Sequence, residues 1–499
     1  MKPFSRLAVL SLLFVLILHP IIPAQEATSL WQHVTPGVDY RQFFMPGPNH
    51  VNVLRMEREN SQVTLETGFA QGSASGGLET VRQIAERYDG AINAWGGTWN
   101  GINRVVAAVN GSYFDPKTGI PLSGAVHSGW YARRFADRQS SSGFAWTLER
   151  QPFIGGCIAH PPRRQVINLL KSDQSVLINR VNTLREDFEL VLYTPQYGAY
   201  TPASNNAVTE LVVEISQPLL IIPLPDGIEG KVIRITETEE GTQIPFDAVV
   251  LSAQGETAIA LQSAVAIGDL LRISQEIRHF QSNCRDANSH SWTKTYAALG
   301  ASYLFLRDGV VQPLGELGAI LRNPRTAIAF NNRYVYLIVV DGRDMFGSLG
   351  MSMVELGIFA RDYLAADWGA AMDGGGSSTM VIEGHLVNKP NSETSTGVKP
   401  THQERNVANA WFVVSSLPLQ KSDVFHSGQT VAISGLIPVN LRQGPGTNYA
   451  LLYSLEPGTK GNVLDHMLNG VKAKDYNWWK VDFGGLIGWV SEEYIVPQP

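Results

Sequence analysis

Ala370-Ala371-Met372-Asp373-Gly374-Gly375-Gly376-Ser377-Ser378-Thr379-Met380-Val381-Ile382 is the stretch on which the reading of this chain turns. A short apolar run ends in a carboxylate, three glycines and three hydroxyls come next, and a second apolar run closes it. The pattern is that of a strand releasing into a loop with almost no side chains and then a second strand. Three consecutive glycines cost backbone entropy and pack nothing, so they suit a place where a ligand or another group must approach the main chain closely. Their N–H groups are candidates for an anion-binding concavity. A plain glycine-rich hairpin with a capping aspartate is the alternative that these residues leave open.

Just upstream, Arg322-Asn323-Pro324-Arg325-Thr326 leads into an alternating strand, and Tyr334 to Val340 forms the most hydrophobic strand of the chain, ending in Asp341-Gly342-Arg343. Ser352-Met353-Val354-Glu355 has the spacing of a capping box. The helix it opens runs to about Ala366, with Val354, Ile358, Phe359, Tyr363 and Leu364 at core-facing spacing. If strand 334–340, helix 353–366 and strand 370–372 form a right-handed βαβ unit, both strands end at one edge of a sheet. Asp341, Arg343, the helix start at Ser352 and Glu355, and Asp373 with its glycines then converge. Carboxylates, arginines and a positive helix end in one crevice suit an anionic substrate and acid/base chemistry. Glu355 has a second reading, as nothing more than the cap of its own helix.

Earlier in the chain, Val51 to Met56 and Gln62 to Glu66 alternate as strands, and Leu78 to Tyr88 has helical spacing. Arg104 to Val109 is an apolar run that releases into Asn110-Gly111-Ser112-Tyr113-Phe114-Asp115, either a second functional loop or an Asn-Gly hairpin turn. Between about 189 and 277 short strands separated by Gly, Pro and Asn read as an all-β section. After Glu404-Arg405-Asn406-Val407-Ala408-Asn409 comes another apolar strand, and residues 416–428 have the composition of a linker. The fold class expected is α+β or mixed α/β for the main domain, with a large β-rich section, and a small all-β barrel after it.

At 499 residues the chain exceeds one ordinary core. Charged residues at 17% and a net charge of −6, with no basic run, argue against a general nucleic-acid binder. Lys2 and Arg6 before the apolar run Leu7 to Leu18, then Pro20 to Ala24, form the pattern of a secretory signal over residues 1–24. The expectation is a protein secreted or held at the cell envelope, not in a membrane once that signal is removed. Cys157 and Cys284 fit no metal spacing; an exported protein can pair them, or keep them as buried thiols.

Residues 429–497 are rich in short strands. Their Asn440-Leu441-Arg442-Gln443-Gly444-Pro445-Gly446 opening and their Trp478-Trp479-Lys480-Val481 and Gly488-Trp489-Val490 strands resemble the bacterial SH3-like domain. That resemblance implies a small barrel that tethers an enzyme to the cell wall. Adjacent on a strand, Trp478 and Trp479 face opposite sides, so one belongs to the barrel core and the other is free for a ligand or for surface packing.

The main domain, about 45–415, resembles the phosphodiester glycosidase family through five segments in order: Asn110 to Asp115, Pro324 to Ala327, Asp341 to Arg343 with Ser352 and Glu355, Asp373 to Thr379, and Glu404 to Asn409. Tyr113 stands where the family often has Phe, and Asn406 where it often has Pro. The resemblance implies hydrolysis of a sugar-1-phosphodiester, such as an α-N-acetylglucosamine-1-phosphodiester, to free sugar and a phosphomonoester, with wall or extracellular polysaccharide as the substrate. Cleavage at an anomeric carbon needs carboxylates, for which Asp373, Asp341 and then Glu355 are the candidates. Arg325, Arg343 and the Gly374, Gly375 and Gly376 amides are assigned to the phosphate, with Ser377, Ser378 and Arg405 beside them; Asn110, Asp115 and Asn409 are assigned to orienting the substrate. No cofactor is required, no metal ligands are assigned, and the clustered aspartates leave room for a divalent cation.

Two other readings compete. Ser377 or Ser378 as a nucleophile with His127 or His385 lacks the G-x-S-x-G elbow. A non-catalytic receptor for wall carbohydrate or phosphate needs the same groups as the enzyme, and product release separates the two.

Overall fold

The structure is a computed structural model that describes residues 30–135, 142–156, 158–279, 292–345, 347–392 and 403–498. The signal-like segment and both cysteines, Cys157 and Cys284, lie outside the described residues. Within them are five sheets of five or more strands and three helices of eight residues or longer. The fold is therefore β-rich with few helices, which corrects the expectation of a mixed α/β main domain.

Two sheets carry the glycine-rich stretch. The first has the order Gln32–Thr35, Val38–Met45, Asn49–Glu57, Tyr334–Val340, Arg325–Phe330, Trp368–Ala371, Leu304–Arg307, Val310–Val311. The second runs His385–Leu386, Met380–Ile382, Gly101–Asn110, Asn409–Pro418, Val63–Phe69. Their central strands, such as Arg325–Phe330, Tyr334–Val340 and the first six residues of Asn409–Pro418, are built from Val, Ile, Ala and aromatic residues and are buried almost throughout. The stretch 372–379 is the crossing from one sheet to the other.

The expected βαβ unit is present with one correction. Tyr334–Val340 and Trp368–Ala371 are each antiparallel to Arg325–Phe330, which lies between them. The outer two are thus parallel without being neighbours. Val340 pairs with Arg325, and Ala371 with Ala327, so both strands still end at one edge. The connecting helix is Met353–Leu364, closed by Ala365 in the left-handed conformation. Its core stripe is Met353, Leu356, Phe359, Ala360 and Leu364, packed against Phe305. Val354, Ile358 and Tyr363, expected in the core, are 38%, 41% and 47% exposed. Ser352 and Glu355 do form the capping box, which sets the helix start; packing keeps Phe359 and Leu364 of the stripe read from spacing and fills the rest with Met353, Leu356 and Ala360.

The helix read over Leu78 to Tyr88 is Val81–Tyr88, with Thr80 and Gln83 as its capping box. The β-rich section is an eight-stranded sheet with strands from Val166–Leu169 to Leu270–Ser274, and it holds one helix, Gly255–Ala264, so it is not all-β.

The C-terminal barrel has Val431, Leu441, Trp479, Val481 and Val490 in its own core. Trp478 is as buried as Trp479, at 3% exposure, but belongs to the large core of the main domain. Of the two tryptophans only Trp479 lies in the barrel core, and of the two roles left open for the other, packing holds: the main domain covers Trp478. Phe246 packs edge-on to Trp489 and Tyr449, and the Gln443 amide donates to the Gly198 and Ile244 carbonyls. Between the two bodies the buried Asp247 accepts from Lys480 Nζ at 2.8 Å and lies 3.0 Å from His466 Nε2. Burial alone would raise this carboxyl; the His466 hydrogen bond and the Lys480 charge overcome it and hold it at about 2. The linker is not free either. The strand Asn409–Pro418 extends into it, Gln420 accepts from Lys472 N, and Ser422 N donates to Gly470 O.

Candidate active site

Asp373 lies two residues past Ala371 at the shared edge, and its N–H donates to Gly111 O at 2.9 Å. Asn110, at the end of its strand, locks this corner: its Nδ2 donates to Asp373 O at 2.7 Å, and its Oδ1 accepts from Thr326 Oγ1 at 2.6 Å and from Thr379 N at 3.2 Å. The Asn110 carboxamide thus ties both sheets to the crossing. Asn409 Oδ1 accepts from Ser112 N at 2.6 Å, while its Nδ2 is buried with no partner among the described residues. Asp115 accepts from Lys117 N and shapes its own turn.

The glycines have individual reasons. Gly375 has φ +64°, a conformation that disfavours a side chain. A Cβ at Gly374 would come within 2.9 Å of Pro324 O, one at Gly375 within 2.9 Å of Arg343 Nη2, and one at Gly376 within 2.6 Å of Arg405 Nη2 and 2.7 Å of Ser392 Cα. Two guanidinium groups therefore lie directly on the glycine backbone. Among the described residues neither has a carboxylate in ion-pair contact; Arg343 donates to Asn323 Oδ1 from Nε and Nη2, both at 3.2 Å. The Gly375 N–H is already taken by Pro324 O, so that amide does not face a ligand as expected. Ser377, Ser378 and Thr379 are buried; the Ser377 hydroxyl lies against the Asp373 carboxyl, and those of Ser378 and Thr379 have no hydrogen-bond partner among the described residues.

Burial pushes the Asp373 carboxyl up to about 6, against the Ser377 hydroxyl beside it, the Arg405 charge and the Gly374 amide, which all pull it down. Asp341 is buried and also raised by burial, with Lys389 N–H and the Asn388 amide opposing. Its Oδ1 accepts from Lys389 N at 2.9 Å and Asn388 Nδ2 at 3.0 Å, and the same Nδ2 reaches Ser378 O at 3.0 Å. Asn388 thus couples Asp341 to the glycine loop. Tyr40 faces it, its phenol raised to about 12 by burial and then by the Asp341 charge.

Arg325 borders this set, its Cδ 3.9 Å from where a Cβ at Gly374 would stand, but its guanidinium is spent elsewhere, and Glu355 stands apart. Arg325 is buried; its Nε donates to Met351 O and its Nη2 to Gly318 O and Leu321 O, so it braces the loop before it. Glu355 binds Arg322 with both oxygens while capping its helix, so its carboxylate is occupied and lies below its ordinary range; burial opposes this, and Arg322 and Ser352 prevail. The sequence reading missed Asn388, Tyr303 and Ser302. Tyr113 is 42% exposed beside Asp373, Tyr303 and Arg325, with Ser302 at its hydroxyl; burial raises its pKa most, and the Asp373 charge comes second. Asn388 stands in a Val-Asn-Lys turn with no motif around it, and Tyr303 inside an ordinary strand entry.

A two-sheet β scaffold with a carboxylate, arginines and a glycine crossing at the shared edge is thus joined to a docked small barrel. The phosphodiester glycosidase family model matches residues 227–414, and the bacterial SH3 domain model residues 435–496. The chain carries a phosphodiester glycosidase domain and, after it, a bacterial SH3 domain. Over 93 residues it is 26% identical to the Bacillus subtilis protein YrvJ, named as an N-acetylmuramoyl-L-alanine amidase, covering 18% of this chain and 16% of that one. A Synechocystis protein of unassigned function superposes with a TM-score of 0.50 at 18% identity, over 76% of this chain and 62% of that one, and so shares the fold. The catalytic domain of zebrafish N-acetylglucosamine-1-phosphodiester α-N-acetylglucosaminidase gives 0.36 at 13% identity, over 77% and 85%. The chain spans less than two thirds of the length of both the amidase and the Synechocystis protein.

Proposed function

We propose that this chain hydrolyses sugar-1-phosphodiesters to free sugar and a phosphomonoester. The observation that carries the reading is a carboxyl held near 6 at Asp373, with the Arg343 and Arg405 guanidinium groups laid on the adjoining glycines. In the reaction water oxygen bonds to the anomeric carbon, the bond from that carbon to the phosphate oxygen breaks, and the phosphomonoester leaves with its charge. A group titrating near working pH suits a carboxyl that gives or takes a proton beside that carbon. Arg343 and Arg405 neutralise the departing phosphate. Asp341, fixed through one oxygen, is the second carboxylate that glycoside cleavage uses. Arg325 acts through the loop it braces, and Glu355 through its helix.

The bacterial SH3 domain and the partial likeness to a protein named as a wall amidase support a place at the cell envelope, with wall polymer as substrate or anchor. Wall contact falls to the barrel groove of about 270 Å³ lined by Asn440, Arg442, Tyr476, Tyr494 and an edge of the otherwise buried Trp478.

The test incubates the purified chain with an α-N-acetylglucosamine-1-phosphodiester and measures free sugar and sugar-1-phosphate separately. Free sugar is expected. Sugar-1-phosphate would mean phosphorus–oxygen cleavage instead, and binding without either product would make the chain a receptor.

A further inference from the structure

Beside the proposed phosphate site the surface turns apolar. The short helix Leu317–Ile320 buries only Ala319 of its four residues. Leu317, Ile320 and Leu321 are 68%, 52% and 50% exposed. This is no remote patch, because the Gly318 and Leu321 carbonyls are the ones that accept from Arg325 Nη2, at 2.9 and 2.6 Å. Gly318 lies against the Tyr303 hydroxyl, which a Cβ there would approach to 2.7 Å. Tyr303 neighbours Tyr113, and Tyr113 neighbours Asp373. Leu122, also exposed, donates its N–H to Tyr113 O. From the carboxylate outward, the surface therefore runs through two tyrosines to a lip of three leucine and isoleucine side chains.

Contiguous exposed apolar side chains at the rim of a charged site call for an apolar occupant. A phosphodiester has two arms. If the sugar arm lies at Asp373 and the phosphate on the guanidinium groups, the remaining arm leaves past this lip. We propose, building on the function above, that the preferred substrate is amphiphilic: a sugar-1-phosphodiester whose second ester is a long alkyl or polyprenyl alcohol, the first carbons of which lie on Leu317, Ile320 and Leu321. Cations meet the phosphate, and the outward side chains of the lip itself, Leu317, Ile320 and Leu321, are uncharged, with the charged Glu316 and Arg322 at its two ends. Hydrolysis then releases free sugar and a lipid phosphate, with the water oxygen on the sugar.

The experiment compares octyl and methyl esters of α-N-acetylglucosamine-1-phosphate on the full chain and on the Leu317→Ser/Ile320→Ser variant. Both positions are exposed, so the fold tolerates the change. The expected result is a kcat/KM for the octyl ester at least about tenfold above the methyl ester, with the ratio falling to about threefold or less in the variant. Equal kcat/KM for the two esters would overturn the lip and leave the glycosidase reading standing. Should neither ester be cleaved, the function reading fails and binding decides the lip separately: octyl phosphate held at least about tenfold tighter than methyl phosphate, and lost in the variant, upholds it, while equal binding overturns it. Binding to plain phosphatidylcholine vesicles that the variant loses, with no preference between esters, would make this a membrane-docking surface and also overturn the proposal.

Discussion

The glycine crossing and the seam between the two domains are both polar, both buried and both rich in charge, yet they are finished differently. At the seam Asp247 is enclosed by Lys480 and His466, and Gln443 spends its amide on two carbonyls. At the crossing the Ser378 and Thr379 hydroxyls and the Asn409 Nδ2 are buried without partners among the described residues. Each such group costs about 1–3 kcal/mol when left unsatisfied. The seam is closed around a charged cluster, with Asn448 Oδ1 its own unpartnered atom, whereas the crossing keeps its unpartnered groups next to a carboxyl and two guanidinium groups that no carboxylate neutralises among the described residues.

The largest test of that contrast is Asp373→Asn. Turnover of a sugar-1-phosphodiester is expected to fall by about 10³-fold or more, measured as kcat. Stability should move the other way. A carboxyl whose folded value is raised to about 6 favours the fold while protonated, so its contribution is present below about 4 and lost as pH rises through 6. Thermal unfolding should then show the asparagine variant gaining over the parent between pH 4 and 7 and holding the gain above. At the seam, Lys480→Met leaves Asp247 with His466 alone and is expected to cost about 3–5 kcal/mol in urea unfolding, with kcat unchanged within about twofold. A seam that tolerated this substitution would be less finished than its geometry indicates.

Gly376→Ala probes the crossing without removing or adding a charge. A methyl group there meets both the Arg405 guanidinium and the backbone at Ser392, and kcat/KM is expected to fall about 10–100-fold, more than stability would account for. The smallest effect belongs to Glu355→Gln. It keeps a capping residue, loses an exposed ion pair with Arg322, and should cost under about 1 kcal/mol with kcat within about threefold. A large loss of kcat would return Glu355 to the catalytic set.

Legibility in the sequence tracked locality. The strand-to-loop breaks at Asp341 and Asp373, the capping box at Ser352, and the glycine run as a place of close approach could each be read from a few consecutive residues. Their convergence at one edge also came out, because parity of strand direction survives the insertion of Arg325–Phe330 between the two parallel strands. Partnerships did not. Nothing near Arg325 in the chain reveals that it is spent on the carbonyls of Gly318, Leu321 and Met351. Nothing near Trp478 reveals the main-domain core that covers it, and Asn388 gains its place only when Asp341 and Ser378 are brought to it. The β-rich class was under-read for a related reason, since two well-formed helices stood in the stretches with the clearest periodicity.

The crossing between two sheets carries one more consequence. Asn110 holds Asp373, Thr326 and Thr379 at once, so the reactive corner keeps its shape only while both sheets keep their mutual position. Heat inactivation should accordingly coincide with the melting of the scaffold, with no temperature interval in which an intact body carries a disabled site. Activity in this protein would serve as a thermometer for the whole main domain.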